Sequence, residues 1–148
     1  MMTSFEIRRA AVTDIPALAT IEAACFSDAW SEGALALHLD SAATLTLVAT
    51  ADGRVVGALL LGLCPPEAEI YRIATLPEAR RHGIGRALLS RGLHVLREAG
   101  VTKIFLDVRE GNTPARTLYA THGFRETGVR RDYYRAPREH AVLMEREV

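Results

Sequence analysis

Apolar and polar positions change rhythm several times along the chain, and each change marks an expected element. Phe5-Glu6-Ile7-Arg8-Arg9 alternates with the two-residue period of a strand. Thr13-Asp14-Ile15-Pro16 has the form of a helix start, a capping hydroxyl and carboxylate followed by proline in the first turn. Leu18, Ile21, Ala24 and Cys25 fall on one face of the helix it opens. Asp28-Ala29-Trp30-Ser31-Glu32 interrupts that helix and starts a second, with Ser31 as N-cap and Leu35 and Leu39 one turn apart. Two strands follow, Thr44 to Ala51 and Val55 to Leu63, joined by Asp52-Gly53, a strong hairpin turn. The second of them is apolar almost throughout, as for a strand buried on both faces. Glu67 to Thr75 reads as a fourth strand. It leads into Arg80-Arg81-His82-Gly83-Ile84-Gly85-Arg86, after which Leu89, Leu93 and Leu96 recur at helical spacing until Gly100. Val101 to Val108 is a fifth strand, and Asn112-Thr113-Pro114 opens a helix that Gly123 ends. Phe124 to Tyr134 and His140 to Val148 are the last two strands, joined by the polar Arg135-Ala136-Pro137-Arg138.

The order β-α-α-β-β-β-α-β-α-β-β predicts a mixed α/β (α+β) fold with a partly antiparallel sheet. There is no internal repeat, low-complexity segment or linker, so residues 1–148 are expected to form a single domain. At 49% hydrophobic and 24% charged, the chain has the composition of an ordinary globular protein. Its formal net charge of +0 lacks the basic footprint of a general nucleic-acid binder, so no direct nucleic-acid binding is expected. Local basic runs remain at Arg80 to Arg86 and at Arg130-Arg131. The two cysteines, Cys25 and Cys64, form no CxxC or Cys/His spacing. No metal site is expected, and both read as small buried apolar residues. No apolar run reaches membrane-spanning length, and a reducing cytoplasm fits best.

Gly83 and Gly85 stand between a strand and a helix, the arrangement in which unpartnered helical N–H groups and the helix dipole attract an anion. The same glycines also suit a plain tight turn. Two familiar phosphate loops fail here. The P-loop requires Lys-Ser/Thr after its glycines, and Arg86-Ala87 follows Gly85. The dinucleotide fingerprint requires a third glycine where this chain has Leu88.

The remaining pattern, Arg80-x-x-Gly83-x-Gly85, resembles the acetyl-CoA pyrophosphate loop of the GNAT superfamily of N-acetyltransferases. Downstream, Asn112 and Leu118-Tyr119-Ala120-Thr121-His122-Gly123-Phe124 resemble the family's N…LYxxxGF signature, and the element order matches over essentially the whole chain. The resemblance implies a twisted, mostly antiparallel sheet of about seven strands flanked by four helices, with the fourth and fifth strands splayed apart. Three further stretches, Phe26 to Ser31 (FSDAWS), Glu67 to Ala74 (EAEIYRIA) and Arg130 to Tyr134 (RRDYY), are similar to the RimI-type branch. That branch acetylates the N-terminal alanine of a small-subunit ribosomal protein.

Acetyl transfer to an amine needs a held thioester, a neutral amine, a stabilised oxyanion and a protonated leaving thiolate. The resemblance assigns acetyl-CoA as co-substrate, with Arg81, His82, Gly83, Ile84, Gly85 and Arg86 at the pyrophosphate. The backbone of Ile73, Ala74 and Thr75 would pair with the pantetheine arm, and Asn112 would add a secondary contact. It makes Tyr119 the acid toward the CoA thiolate. The base position, glutamate in RimI-type enzymes, is Asp107 here, one methylene shorter; Glu69 on the fourth strand is the rival. Trp30, Glu67, Tyr133 and Tyr134 are the candidate peptide-groove residues. His140 stands where close RimI relatives carry aspartate. The expected partners are acetyl-CoA and a protein N-terminus, with no membrane, in a monomer or weak dimer. Small-amine, antibiotic or lysine acetylation, and a non-catalytic acyl-CoA-binding module, remain alternatives at this point.

Overall fold

The computed structural model describes residues 4–148. The alternating segments become β1 (Glu6–Arg9), β2 (Thr44–Ala51), β3 (Arg54–Cys64), β4 (Glu67–Thr75), β5 (Lys103–Arg109), β6 (Arg125–Arg135) and β7 (Arg138–Glu147). The segments of helical period become α1 (Ile15–Cys25), α2 (Glu32–Asp40), α3 (Ile84–Glu98) and α4 (Thr113–Thr121). The seven strands form one sheet in the order β1-β2-β3-β4-β5-β7-β6. Every neighbouring pair is antiparallel except β4 and β5, which run parallel. A parallel pair needs a crossover, and α3 supplies it.

Both faces of the sheet centre are covered. Leu88, Leu89, Leu93 and Leu96 of α3 pack with Leu47, Leu59 and Leu61. On the opposite face Ile15 and Leu18 of α1 and Leu35 of α2 pack with Val48, Ala58 and Leu60. Strand β3 supplies residues to both cores, which is why its apolar run is unbroken. The β2–β3 turn is Asp52-Gly53, with φ of 53° and 77°, as a two-residue hairpin of this hand requires.

Ser31 caps α2, its Oγ accepting from the Ala34 N–H at 3.1 Å, and Asn112 caps α4 through the Ala115 N–H at 3.2 Å. The start of α1 differs from expectation. Neither Thr13 nor Asp14 caps it; the Asp14 carboxylate instead accepts from the Ala11 N–H at 2.7 Å and pairs with Arg8 at 2.7 Å. Ala24 is also exposed, and the buried face of α1 is Ile15, Leu18, Ile21 and, unexpectedly, Glu22.

Candidate active site

The site begins with a break in the sheet. Strands β4 and β5 pair only from Glu67–Lys103 to Ile70–Leu106. At the same level β4 bulges against β3: Leu61 opposes Ile70 and Leu60 opposes Arg72, which leaves Tyr71 as the extra residue. A bulge bends its strand and resets the side-chain alternation. The rest of β4 leaves β5, and Arg72 joins the side of Leu60, facing α1 and α2, instead of entering the core under α3.

Two cavities occupy the split. The larger, about 920 Å³, is lined by Ile73, Ala74 and Thr75 of β4, by Arg80 to Arg86 except His82, and by Asn112, Ala115 and Leu118 across the gap. The smaller, about 70 Å³, is lined by Tyr71, Arg72, Asp107, Tyr119 and Tyr134 among others. Phe26, Ile73, Arg109, Asn112 and Ala115 line both, so they surround the junction.

The large cleft suits an anion at one end. Helix α3 begins at Gly83 with no side-chain cap, whereas α2 and α4 are capped. Its first N–H groups therefore lack an internal partner. Gly83 has φ of 81° and Arg81 φ of 68°, both left-handed, and these turn the loop toward the cleft. Gly85 has a different reason to be glycine, since an added Cβ would sit 3.2 Å from Leu118 Cδ2. Arg81 and Arg86 line the cleft as exposed cations. Arg80 is committed elsewhere, its Nε donating to the Thr75 carbonyl at 3.0 Å. His82 turns back, with Nδ1 3.1 Å from the Ala79 carbonyl, and stays out of the cleft. The Thr75 carbonyl is thus already engaged, while Ile73 and Ala74 lie beyond the end of the β4–β5 ladder. Uncapped N–H groups with two arginines, followed by open strand backbone, fit a pyrophosphate with an amide-bearing arm.

The small cavity gathers phenols and two carboxylates, Asp28 and Asp107, of which Asp28 is held by Arg72 at 3.2 Å. Tyr119 is 4% exposed, and burial raises its pKa well above that of an ordinary phenol. The Tyr134 phenol is pushed up to about 12, by burial first and then by the Asp107 carboxylate. The Arg109 guanidinium, 4.2 Å over the Tyr134 ring, acts in the opposite direction. Glu69 lines neither cavity; partial burial raises its pKa, the Asp107 charge adds to this, and Arg130 opposes it.

Three other expected groove residues stand back from the cavities. Trp30 packs its ring 5.5 Å from His38 and 6.0 Å from Tyr71, behind the small cavity. Tyr133 is exposed and meets Tyr134 edge-on at 5.1 Å. Glu67 is exposed at the far end of β4. Two arginines that the sequence reading passed over are central instead. Arg72 pairs with Glu22 and Asp28, and Arg109 binds Pro137, Glu139 and Ser27. The available signal was a charge inside each apolar face, Glu22 beside Ile21 and Arg72 before Ile73, since buried charges occur in pairs.

A long cleft with an anion seat at one end, opening onto a small polar chamber, suits transfer of an acyl group from a carrier in the first to a nucleophile in the second. Residues 15–124 match the acetyltransferase (GNAT) family, and the chain belongs to it. It is an acyltransferase, with acetyl-CoA as co-substrate. The chain is 34% identical over 134 residues to the [ribosomal protein bS18]-alanine N-acetyltransferase of Escherichia coli strain K12, covering 89% of this chain and 90% of that one. The crystal structure of the ribosomal-protein-S18-alanine N-acetyltransferase from Escherichia coli superposes with a TM-score of 0.91 at 32% identity, over 98% of this chain and 94% of that one. The PaiA N-acetyltransferase from Thermoplasma acidophilum, solved in complex with coenzyme A, shares the fold with a TM-score of 0.80 at 22% identity, over 99% and 100% of the chains.

Proposed function

We propose that this acetyltransferase modifies a protein N-terminus, the N-terminal alanine of ribosomal protein bS18. The observation that carries the reading is the polar chamber at the junction with the cofactor cleft. It holds about 70 Å³ and is lined by Asp107, Tyr119 and Tyr134, so it takes the amine end of an acceptor whose remainder lies outside. The 34% identical relative, named for that reaction, supports the same acceptor. A ribosomal protein substrate puts the reaction in the cytoplasm. We take residues 1–148 to act as one acetyltransferase domain, monomeric or weakly dimeric, without direct nucleic-acid contact.

The acceptor enters as an ammonium ion with reference pKa of about 7.7–8.0, so a modest base suffices. Asp107 takes that proton, directly or through one water, because of the two carboxylates lining the chamber the other, Asp28, is already paired with Arg72. The amine nitrogen then attacks the thioester carbonyl, the N–C bond forms as the C–S bond breaks, Tyr119 protonates the departing thiolate, and the proton that the nitrogen sheds on becoming an amide restores the Tyr119 phenol. Burial keeps the Tyr119 phenol protonated but makes it a weaker acid, so what supports its role is its place on the chamber wall. Arg81, Arg86 and the uncapped start of α3 hold the pyrophosphate, and Ile73 and Ala74 pair with the pantetheine arm. A second assignment of the base, Glu69, is favoured by its raised pKa, which brings a carboxylate closer to operating pH.

The test is CoA release from acetyl-CoA with a synthetic peptide carrying the bS18 N-terminal sequence, beside an N-acetylated copy. Turnover of the free peptide alone is expected. Equal rates with both, or turnover of small amines without turnover of the peptide, would overturn the reading. Asp107→Asn and Glu69→Gln in the same assay identify the base: the true one lowers kcat by about 100-fold or more and the other by only a few-fold.

A further inference from the structure

We propose that Arg72 is a positioning residue that clamps the α1–α2 loop over the acceptor chamber and so sets the affinity for the amine substrate. Its side chain is 11% exposed and reaches nearly every turn of the loop. Arg72 Nε lies 3.4 Å from Glu22 Oε1, and that same oxygen accepts from the Trp30 N–H at 2.8 Å. Nη1 donates to Asp28 Oδ1 at 3.2 Å and Nη2 to the Asp28 carbonyl at 2.8 Å. The guanidinium also lies 4.2 Å from the Phe26 ring centroid and 5.6 Å from that of Trp30. One planar cation thus fixes both ends of residues 26–30 and their middle.

The place of this loop gives the clamp its consequence. Phe26 and Asp28 line the acceptor chamber, and Phe26 lines the junction with the cofactor cleft as well. The loop crosses the region where β4 and β5 no longer pair, so the sheet ladder itself cannot hold it. A second tie comes from the opposite strand, where Arg109 Nη2 is 3.4 Å from Ser27 Oγ. The pairing is poorly explained as a gain in stability. Buried ion pairs roughly break even against desolvation, and burial raises the Glu22 pKa despite its two partners. What the pair supplies is one geometry, since only a fork of N–H donors reaches Glu22 and both the carboxylate and the backbone carbonyl of Asp28 together. Arg72 and Asp28 line the acceptor chamber and not the cofactor cleft, which the loop reaches only through Phe26 and Ser27, so the loss of Arg72 should fall more heavily on the amine than on acetyl-CoA.

The effect on KM rests on the acceptor reading given above; the effect on the loop does not. Trp30 is the only tryptophan in the chain, so its emission reports on this loop without any substrate. The variants are Arg72→Gln, Asp28→Asn and the double substitution, each with its melting temperature recorded. Arg72→Gln is expected to shift Trp30 emission to the red and roughly double its acrylamide quenching. Peptide KM should rise about 10-fold or more while the KM for acetyl-CoA stays within about 2-fold. Asp28→Asn should move both readouts in the same direction by less, and the double variant should be no worse than Arg72→Gln alone. Unchanged Trp30 emission and quenching in folded Arg72→Gln, or an acetyl-CoA KM that rises as much as the peptide KM, overturns the clamp. Should Arg72→Gln fail to fold, Asp28→Asn decides alone: its carboxylate is 47% exposed, and unchanged emission there sinks the proposal. A wild-type enzyme that ignores the peptide sinks the acceptor reading, and the fluorescence still decides the clamp.

Discussion

Replacing Gly83 and Gly85 separately distinguishes two reasons for a glycine at the start of α3. Gly83 is left-handed with φ of 81°, and an added Cβ would meet nothing within 4 Å. The cost of Gly83→Ala is therefore conformational, about 1–2 kcal/mol for a residue with a Cβ held in that region. Unfolding entropy of about 2.1 cal/mol/K per residue converts this to a fall of roughly 3–6 °C in Tm for a chain of this length. Gly83→Asn should recover about half of the loss, because asparagine tolerates the left-handed region through local hydrogen bonding. Gly85 lies inside the helix, and its added Cβ would press on Leu118 Cδ2 at 3.2 Å where both line the cofactor cleft. Gly85→Ala should leave Tm within about 2 °C, since the flexible leucine tip can give way. The KM for acetyl-CoA should nevertheless rise roughly 10-fold, because the methyl group narrows the approach to the helix N-terminus. Circular-dichroism melts without ligand and initial rates across acetyl-CoA concentrations measure the two effects. Gly83→Ala melting within about 1 °C of the wild type, or Gly83→Asn melting below Gly83→Ala, would refute the conformational argument. Unaltered acetyl-CoA kinetics in Gly85→Ala would refute close approach at that position.

Two further outcomes follow from the buried and paired groups. Tyr119→Phe should lower kcat by about 100-fold with the acetyl-CoA KM nearly unchanged. Because burial raises this phenol's pKa, the wild-type kcat profile should show no descending limb from Tyr119 below about pH 10; a limb near pH 8 that vanishes in Tyr119→Phe would contradict this. Asp14 has a lowered pKa, through its hydrogen bond to Arg8 first and the Ala11 N–H as well. Its contribution to stability is complete above the unfolded carboxylate value of about 3.9 and disappears as pH falls through the folded value. Arg8→Met should therefore cost about 1 kcal/mol in urea unfolding at pH 7, kept small because Arg8 is 46% exposed, and the gap to wild type should close as pH falls through the lowered Asp14 value.

How much of this was legible beforehand depended on whether a feature is local. The hairpin turn at Asp52-Gly53, the caps at Ser31 and Asn112 and the span of β2 are local backbone preferences, and the sequence pattern located each of them. The unbroken apolar run of β3 likewise announced a strand covered on both faces. Arg80-x-x-Gly83-x-Gly85 pointed to the loop that lines the large cleft, yet it did not reveal that Arg80 and His82 turn back onto their own segment. Those contacts depend on where the Thr75 and Ala79 carbonyls end up.

The resemblance singled out Asp107, Tyr119 and Tyr134 on the wall of the small chamber, but the charges around them were invisible, for one physical reason. Strict alternation along β4 would send Arg72 into the core beneath α3. The bulge at Tyr71 shifts the register by one residue and delivers Arg72 to Glu22, Asp28 and Phe26, about fifty positions away in the chain. A bulge is a compromise among three packed strands, and no local residue pattern specifies it. Trp30 similarly reads as a groove residue until α2 brings His38 beside it, where the two rings and Tyr71 form the wall behind the chamber. The sequence by itself therefore determined the elements and their order, set by short-range periodicity and backbone preference, and its resemblance to a family singled out the glycine loop. Only the tertiary structure decided which charges meet in the split between β4 and β5, because that depends on a one-residue change of register and on long-range pairing of buried ions.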